Sequence, residues 1–283
     1  MGYDLRELLR HADQKGYAIP AFNYSDSWEL LAIVEAAREE RAPVICQSHA
    51  RVLQVWSEQW LGGLGRAVME QTAFPVFNHL DHCASVEVCQ SAIDAGYPSV
   101  MFDGSLLPLE ENIAQSRRVV AHARKHNSVC VEGEIGRIRG NSEEGTYLGN
   151  DFLVRVEDAI RMAEESGVDS LAVGIGNAHG FYLQAPQLNF ARLVQVNDAV
   201  SIPLVLHGSS GIPDRDIQQA VRCGINKVNV GTELHAAYLL GLRSSLSLPD
   251  NRADILAAMI PAKENIKAVV RRWIRLCMAD HRF

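Results

Sequence analysis

The sequence predicts an α/β fold: a single (β/α)8 TIM barrel over residues 1–283, with strands within 17–234 and a helical tail over 235–283. Three observations predict it. Eight short apolar runs recur through the chain, separated by longer stretches with apolar residues at helical spacing and charges on the other face. Several of those stretches end in a glycine just ahead of the next run, at Gly96, Gly167 and Gly224. Polar side chains also gather at the C-terminal ends of the runs, where barrels of this kind carry their chemistry. Strand–helix alternation of this regularity favours a parallel barrel over its nearest alternative, a doubly wound sheet. No linker or low-complexity segment divides the chain.

Taken in order, the first run is "YAIPAFN" (17–23), ending in Asn23, and "SWELLAIVEAAREER" follows it as an amphipathic helix. The second, "APVICQS" (42–48), closes on Gln47 and Ser48 with His49 next. The third, "FPVFNHLDH" (74–82), sets His79, Asp81 and His82 in an otherwise apolar strand end. The fourth, "PSVMFDGS" (98–105), delivers Asp103, and the fifth, "SVCVEGEIG" (128–136), delivers Glu132 and Glu134. Strand side chains alternate, so these two glutamates share a face, and one of them can be merely structural. The helical pattern "VEDAIRMAEESGV" leads to the sixth run, "DSLAVGIGN" (169–177), with His179 just beyond. The seventh, "IPLVLHGSS" (202–210), carries His207, and the eighth, "NKVNVGTEL" (226–234), carries Asn229 to Thr232. The tail then reads as helix and ends in the basic stretch "VVRRWIRLC".

Composition narrows the function. The chain is 47% hydrophobic with a net charge of −7, so it can bury a large core and offers no basic nucleic-acid surface. No apolar run approaches a membrane span, and the N-terminus has no apolar signal core. Six scattered cysteines without a C-x-x-C pair suit reduced thiols in a cytoplasmic protein.

His82, His179 and His207 sit at equivalent ends of the third, sixth and seventh runs. Three imidazoles meeting at one point with a position left open describe a catalytic zinc site. A strand gives His79 no way to share the face of His82, three residues on, so His79 is expected to support the site or the structure around it. His11, His122, His126, His235 and His281 fall in helical or terminal segments and carry no expected role.

As a set, "HLDH", "GNAHG", "LVLHGSSG" and "NVGTE" resemble the class II, zinc-dependent aldolases, a family that includes the fructose-bisphosphate and tagatose-bisphosphate enzymes. The resemblance runs from "AIPAFN" to about Glu233, and "GINKVNVGTEL" and "GVDSLAVGIGNAHG" are nearest the tagatose-bisphosphate branch. It implies reversible, metal-dependent aldol cleavage of a ketose (bis)phosphate to dihydroxyacetone phosphate and an aldehyde. It implies one catalytic Zn2+ per chain held by His82, His179 and His207, with Glu134 able to bind a second or displaced metal; a monovalent cation is a further possibility. Asp81 becomes the acid/base at the C4 hydroxyl, and Glu143 or Glu144 handles the proton on the dihydroxyacetone carbon. Asn23, Gly180, Gly208, Ser209, Ser210, Asn229, Gly231 and Thr232 become substrate-binding residues, the glycine-rich pieces holding the phosphate. Asp103, Glu132, His79 and His49 are expected around the ligands. A homodimer or homotetramer is expected, with Val269, Val270, Trp273, Ile274 and Cys277 forming one face of the tail.

The chemistry agrees with that assignment: a metal at the carbonyl oxygen stabilises the carbanion left by C3–C4 cleavage, and a carboxylate next to a ligand lies where a base is needed. A Schiff-base mechanism would need a lysine at the rim; Lys227, the one lysine near a strand, falls at the start of the eighth run. The chain departs from the family pattern at His49, in the strand-five loop with Glu143 and Glu144, at Gly231, and in the tail. There Leu256 takes the place of a phosphate-binding arginine, with Arg252 or Arg139 as possible substitutes. The alternatives are another zinc-dependent barrel lyase acting on a ketose 1-phosphate or a related sugar acid phosphate, and a metal-dependent hydrolase or isomerase.

Overall fold

The computed structural model describes residues 3–136, 153–178, 186–246 and 254–283. Eight strands pair in parallel and in chain order to close a barrel: β1 (Ile19–Asn23), β2 (Val44–His49), β3 (Val76–Cys83), β4 (Ser99–Phe102), β5 (Cys130–Ile135), β6 (Ser170–Val173), β7 (Leu204–Leu206) and β8 (Ile225–Val230). Each falls inside the apolar run predicted for it or within a residue of it. Around them lie α1 (Leu5–Lys15), α2 (Ser27–Glu40), α3 (Glu58–Gln71), α4 (Val86–Asp94), α5 (Leu109–Ala123), α6 (Val156–Ser166), α7 (Phe190–Ala199), α8 (Asp214–Arg222), α9 (Thr232–Leu246) and α10 (Ile255–Leu276).

Local chemistry sets the helix ends. Asp26, Ser57, Ser85 and Asn189 each accept a backbone N–H in the first turn of the helix that follows them. Gly167 caps α6 in the left-handed region at φ 75°, and Gly96 and Gly224, at φ 94° and 108°, lie just past α4 and α8. A side chain at these three positions would be strained, which is why glycine punctuates the helix-to-strand turns.

Two features differ from the sequence reading. The eighth strand stops at Val230 and Thr232 opens α9, so the tail's helical part begins before residue 235. The tail face carrying Val270, Trp273, Ile274 and Cys277 is also not free for a neighbour. It is buried within its own chain, where α10 packs against α2 and α9, and the indole of Trp273 donates to Glu233 Oε2 at 2.9 Å. That removes this face as a reason for assembly.

Inside the barrel the lower level is apolar, with Ile19, Ile45 and Ile225 buried. Above it come buried side chains that strands rarely bury, His79, Glu132 and Lys227, then Asp81, Glu134, His207 and Asn229, with Asn23 half-buried beside them. They cluster toward the C-terminal ends of the strands, where the functional residues were expected.

Candidate metal centre and active site

β3 shapes the centre. Alternation would send Asp81 and His82 to opposite faces of the strand. The pairing of β3 with β4 shifts register between Leu80 and Cys83, and His82 adopts φ 51°, a left-handed conformation costly for a side chain of this size. The bulge turns both neighbours to the same side, and Asp81 Oδ1 lies 4.0 Å from His82 Nε2. From β7, His207 reaches the same point, its Nδ1 3.0 Å from His82 Nε2, with the two rings edge to face.

Carboxylates on the far sides of the rings assign their protons. His82 Nδ1 lies 2.8 Å from Asp103 Oδ2, and His207 Nε2 lies 2.9 Å from Glu132 Oε1. With both rings neutral, each carboxylate taking an N–H leaves a lone pair on His82 Nε2 and on His207 Nδ1, the nitrogens that face each other. Two lone pairs 3.0 Å apart repel unless positive charge sits between them. Glu134 makes the same point: its buried Oε2 has no hydrogen-bond partner among the described residues, yet stands 3.3 Å from His207 Nδ1 and 3.9 Å from His82 Nδ1.

The protonation energetics follow. Burial alone would push the His82 pKa down, but Asp81, Asp103 and Glu134 outweigh it and raise it to about 10. His207 is raised as well, by Glu132 and Glu134 against its burial. The pocket thus favours a cation between the rings, a role open to a proton or a metal ion. Burial raises Glu134, helped by Asp103. Glu132 is held at about 2 against the pull of burial, chiefly by Lys227, whose Nζ lies 2.6 Å from Oε2, and by His207. Among the described residues, Asp81, Asp103, Glu132 and Glu134 therefore face one fixed cation, Lys227. Two imidazoles with carboxylates close by suit a borderline divalent ion such as zinc.

Asp81 is gripped by three amides. Asn23 donates to Oδ2 at 2.9 Å, Gln47 reaches the same oxygen at 3.3 Å, and Asn229 donates to Oδ1 at 3.1 Å. Burial works to raise its pKa, but His82, His207, Lys227 and His79 hold it well below the usual carboxylate range. It is ionised. The Gln47 contact is the longest of the three.

The remaining predicted residues sort themselves by position. His49 stacks on His82 with centroids 5.5 Å apart, and its Nδ1 accepts the Arg51 N–H at 3.1 Å. His79 lies deeper, its Nδ1 2.7 Å from Ser99 Oγ, and burial pushes its pKa down to about 3, so it is neutral. The Ser209 hydroxyl donates to the Asn229 carbonyl, and Ser210 Oγ accepts the Glu233 N–H at 3.3 Å. Both serines thus tie the loop after β7 to β8 and α9. Gly208 turns that loop at φ 62°. A Cβ at Gly231 would lie 2.8 Å from Asn23 Oδ1, so glycine there keeps the β1 and β8 ends close. Thr232 begins α9, whose N-terminal N–H groups face the rim. His179, Gly180, Glu143, Glu144, Arg139 and Arg252 lie outside the described residues. Asn177, two residues before His179, donates to the His207 carbonyl at 2.9 Å.

Sequence reading misplaced Lys227 and undervalued Gln47. Lys227 lies third in β8 rather than at its start, buried and engaged by Glu132. A lysine in a strand buried on both faces was itself a sign of a buried partner. Glu132 and Glu134 both contact His207, so neither is a bystander.

Comparison with known proteins settles the family. The model of the class II fructose-bisphosphate aldolases matches residues 3–282. The chain belongs to that family. This class II aldolase is an aldehyde-lyase, and its reaction is aldol cleavage of a phosphorylated ketose. It is 35% identical over 278 residues to the sulfofructosephosphate aldolase of Alkalicoccus urumqiensis, covering 98% of this chain and 96% of that one. It is 36% identical over 279 residues to the 6-phospho-5-dehydro-2-deoxy-D-gluconate aldolase of Halalkalibacterium halodurans, covering 96% and 94%. The crystal structure of the YdjI aldolase of Escherichia coli K12 matches with a TM-score of 0.88 at 32% identity, covering 99% of both chains. Zinc dependence is general in the class II family.

Proposed function

We propose that this class II aldolase uses one zinc ion held by His82, His207 and His179, with Glu134 as an additional or alternative ligand. The observation that carries the reading is the pair of imidazole nitrogens 3.0 Å apart, each with its other nitrogen turned toward a carboxylate. When bound, the ion supplies Lewis acidity toward the substrate carbonyl beside the bond that breaks. Asp103 and Glu132 orient the imidazoles, and Lys227 keeps Glu132 ionised. Asp81 takes the proton from the C4 hydroxyl as the C3–C4 bond breaks and returns it in the aldol direction. Asn23, Gln47 and Asn229 hold its carboxylate in place. Glu143 or Glu144 moves the proton at the dihydroxyacetone carbon. Gly180, the Gly208–Gly211 loop and the α9 N-terminus from Gly231 and Thr232 hold the phosphate through backbone N–H groups.

The substrate we propose is a ketose 1-phosphate, with preference shifted away from bisphosphates. Leu256 is exposed where the family pattern has a phosphate-binding arginine. At 35–36% identity the relatives are named for two different substrates, a sulfofructose phosphate and a phospho-dehydro-deoxygluconate, so the aldehyde half varies at this distance. Comparing kcat/KM for ketose 1-phosphates and the corresponding bisphosphates tests this. A bisphosphate advantage of ~10³ or more that vanishes in Arg252→Ala overturns it, since a bidentate arginine clamp supplies both affinity and orientation.

We also propose a homodimer or homotetramer in the cytoplasm. Exposed Leu239, Leu240, Ile255 and Ile260 on α9 and α10 support assembly, and six free cysteines support a reducing compartment. Light scattering that finds only the 31.2 kDa chain at assay concentration contradicts the assembly.

A further inference from the structure

Away from the barrel centre, one group of side chains has the makings of a second cation site. Asp94 closes α4 and His122 lies in the last turn of α5; His126 follows in the turn that continues it. The two histidines are four residues apart, the spacing that stacks side chains on one face of a helix. The turn preserves that relation, because Lys125 N donates to His122 O and His126 N to Ala123 O, both at 3.0 Å. Both Nε2 atoms converge on a single oxygen, Asp94 Oδ1, at 2.8 and 3.1 Å. The rings lie 5.3 Å apart, tilted 36°. All three candidate donor atoms fall within 4.8 Å of one another.

Among the described residues, Asp94 has no lysine or arginine partner; its carboxyl is held below the ordinary range, first by its hydrogen bond from His122 and then by His126. The cluster is graded in exposure, with side chains 18% exposed at His122, 37% at His126 and 57% at Asp94. One imidazole is thus packed in place while the open side can admit water as further ligands. Two imidazoles and one carboxylate oxygen are the donors a borderline divalent cation takes, and calcium or magnesium would want more oxygens.

We propose that Asp94, His122 and His126 form a second divalent-cation site, of zinc, nickel or copper preference, that clamps α4 to α5. Helices in this barrel run opposite to the strands, so the C-terminal ends of α4 and α5 lie at the N-terminal end of the barrel, the face associated with stability rather than chemistry. The clamp joins the helix after β3 to the helix after β4, the strands that present His82 and Asp103. Binding exchanges the two N–H···O contacts for two nitrogen–metal bonds and one oxygen–metal bond, each imidazole moving its proton to Nδ1. A ligand that binds only the folded state raises its melting temperature by mass action.

The test uses the full chain stripped of metal and titrated with zinc chloride by calorimetry, alongside His126→Asn and the double variant His122→Asn/His126→Asn. The proposal expects one more equivalent in the unmodified chain than in either variant, with aldolase activity unchanged in both. It also expects a further rise in melting temperature when the weaker site of the unmodified chain fills, absent in His126→Asn. His126→Asn leaves the more buried His122 in place, so it reports even if the double variant folds poorly. Equal stoichiometry in the unmodified chain and His126→Asn overturns the proposal, as does an identical zinc-dependent rise in melting temperature in the two.

Discussion

Two charge clusters in this molecule look alike in composition and differ in balance. In the seam between α2 and α10, Glu35 receives Lys263 at 2.7 Å, Glu39 receives Lys267 and Arg271 at 2.6 Å, and Glu40 receives both arms of Arg275 at 2.7 and 2.9 Å. Every acid there has a permanent cation. At the rim, Asp81, Asp103, Glu132 and Glu134 surround two imidazoles and share one buried lysine. The seam is complete as it stands and glues the tail to the barrel. Among the described residues the rim is short of fixed positive charge, and buried charge without a partner is costly. That shortage among the described residues sets the rim apart from the seam: its two imidazoles and four carboxylates favour a cation held between them.

The largest effect expected concerns Asp81. Asp81→Asn keeps the shape and much of the amide network but cannot accept a proton. Turnover should fall by ~10²–10⁴ while metal content is retained. Near-normal kcat would remove Asp81 from the role of base and leave it as a structural acceptor for Asn23, Gln47 and Asn229.

Next comes the buried pair that links the rim to the core. Lys227→Met strands Glu132 beside His207, and urea denaturation should show a loss of ~3–5 kcal/mol. Lys227→Met/Glu132→Gln removes both charges and should recover most of it. A loss under ~1 kcal/mol in the single variant would mean that the rim tolerates unpaired charge as an exposed pair does, and the contrast with the seam would collapse.

The smallest effect belongs to the seam. Lys267→Ala should cost ~1 kcal/mol or less at neutral pH, because its partners are partly exposed. Contact with Lys267 lowers Glu39, and contact with Lys263 and Lys267 lowers Glu35 against its partial burial. Carboxylates lowered on folding stabilise above their unfolded pKa near 4.5, and that contribution fades as pH falls through the folded value. The gap between the unmodified chain and Lys267→Ala should therefore be present at pH 7 and shrink in acid. A gap that grows on acidification contradicts the pairing.

The fold was legible because apolar runs and helical spacing are local signals, and all eight runs became strands. The meeting of His82 and His207 was legible because both stand at strand ends, where a barrel brings distant residues together. The bulge at His82 was not legible: period-two alternation predicts opposite faces for Asp81 and His82, and only the register shift against β4 reverses that. Nor was the depth of Lys227, since its position within the run says where it starts and not that Glu132 waits across the barrel. The tail misled for a similar reason. An apolar helical face announces burial but not against what, and α2 and α9 of the same chain took it. His122 and His126 read as unremarkable because Asp94, which joins them, comes from another helix.

In the proposed mechanism the rim holds a divalent cation between His82 and His207 and needs it for aldol cleavage. The most direct measurement is zinc content against activity in His82→Ala and His207→Ala, made in a His126→Asn background so that the outer cluster contributes nothing. The expected result is close to one zinc per chain with both histidines present, and loss of zinc and dihydroxyacetone phosphate release together in either alanine variant. Full zinc occupancy after either substitution, or undiminished cleavage by the metal-stripped enzyme in chelator, would contradict it.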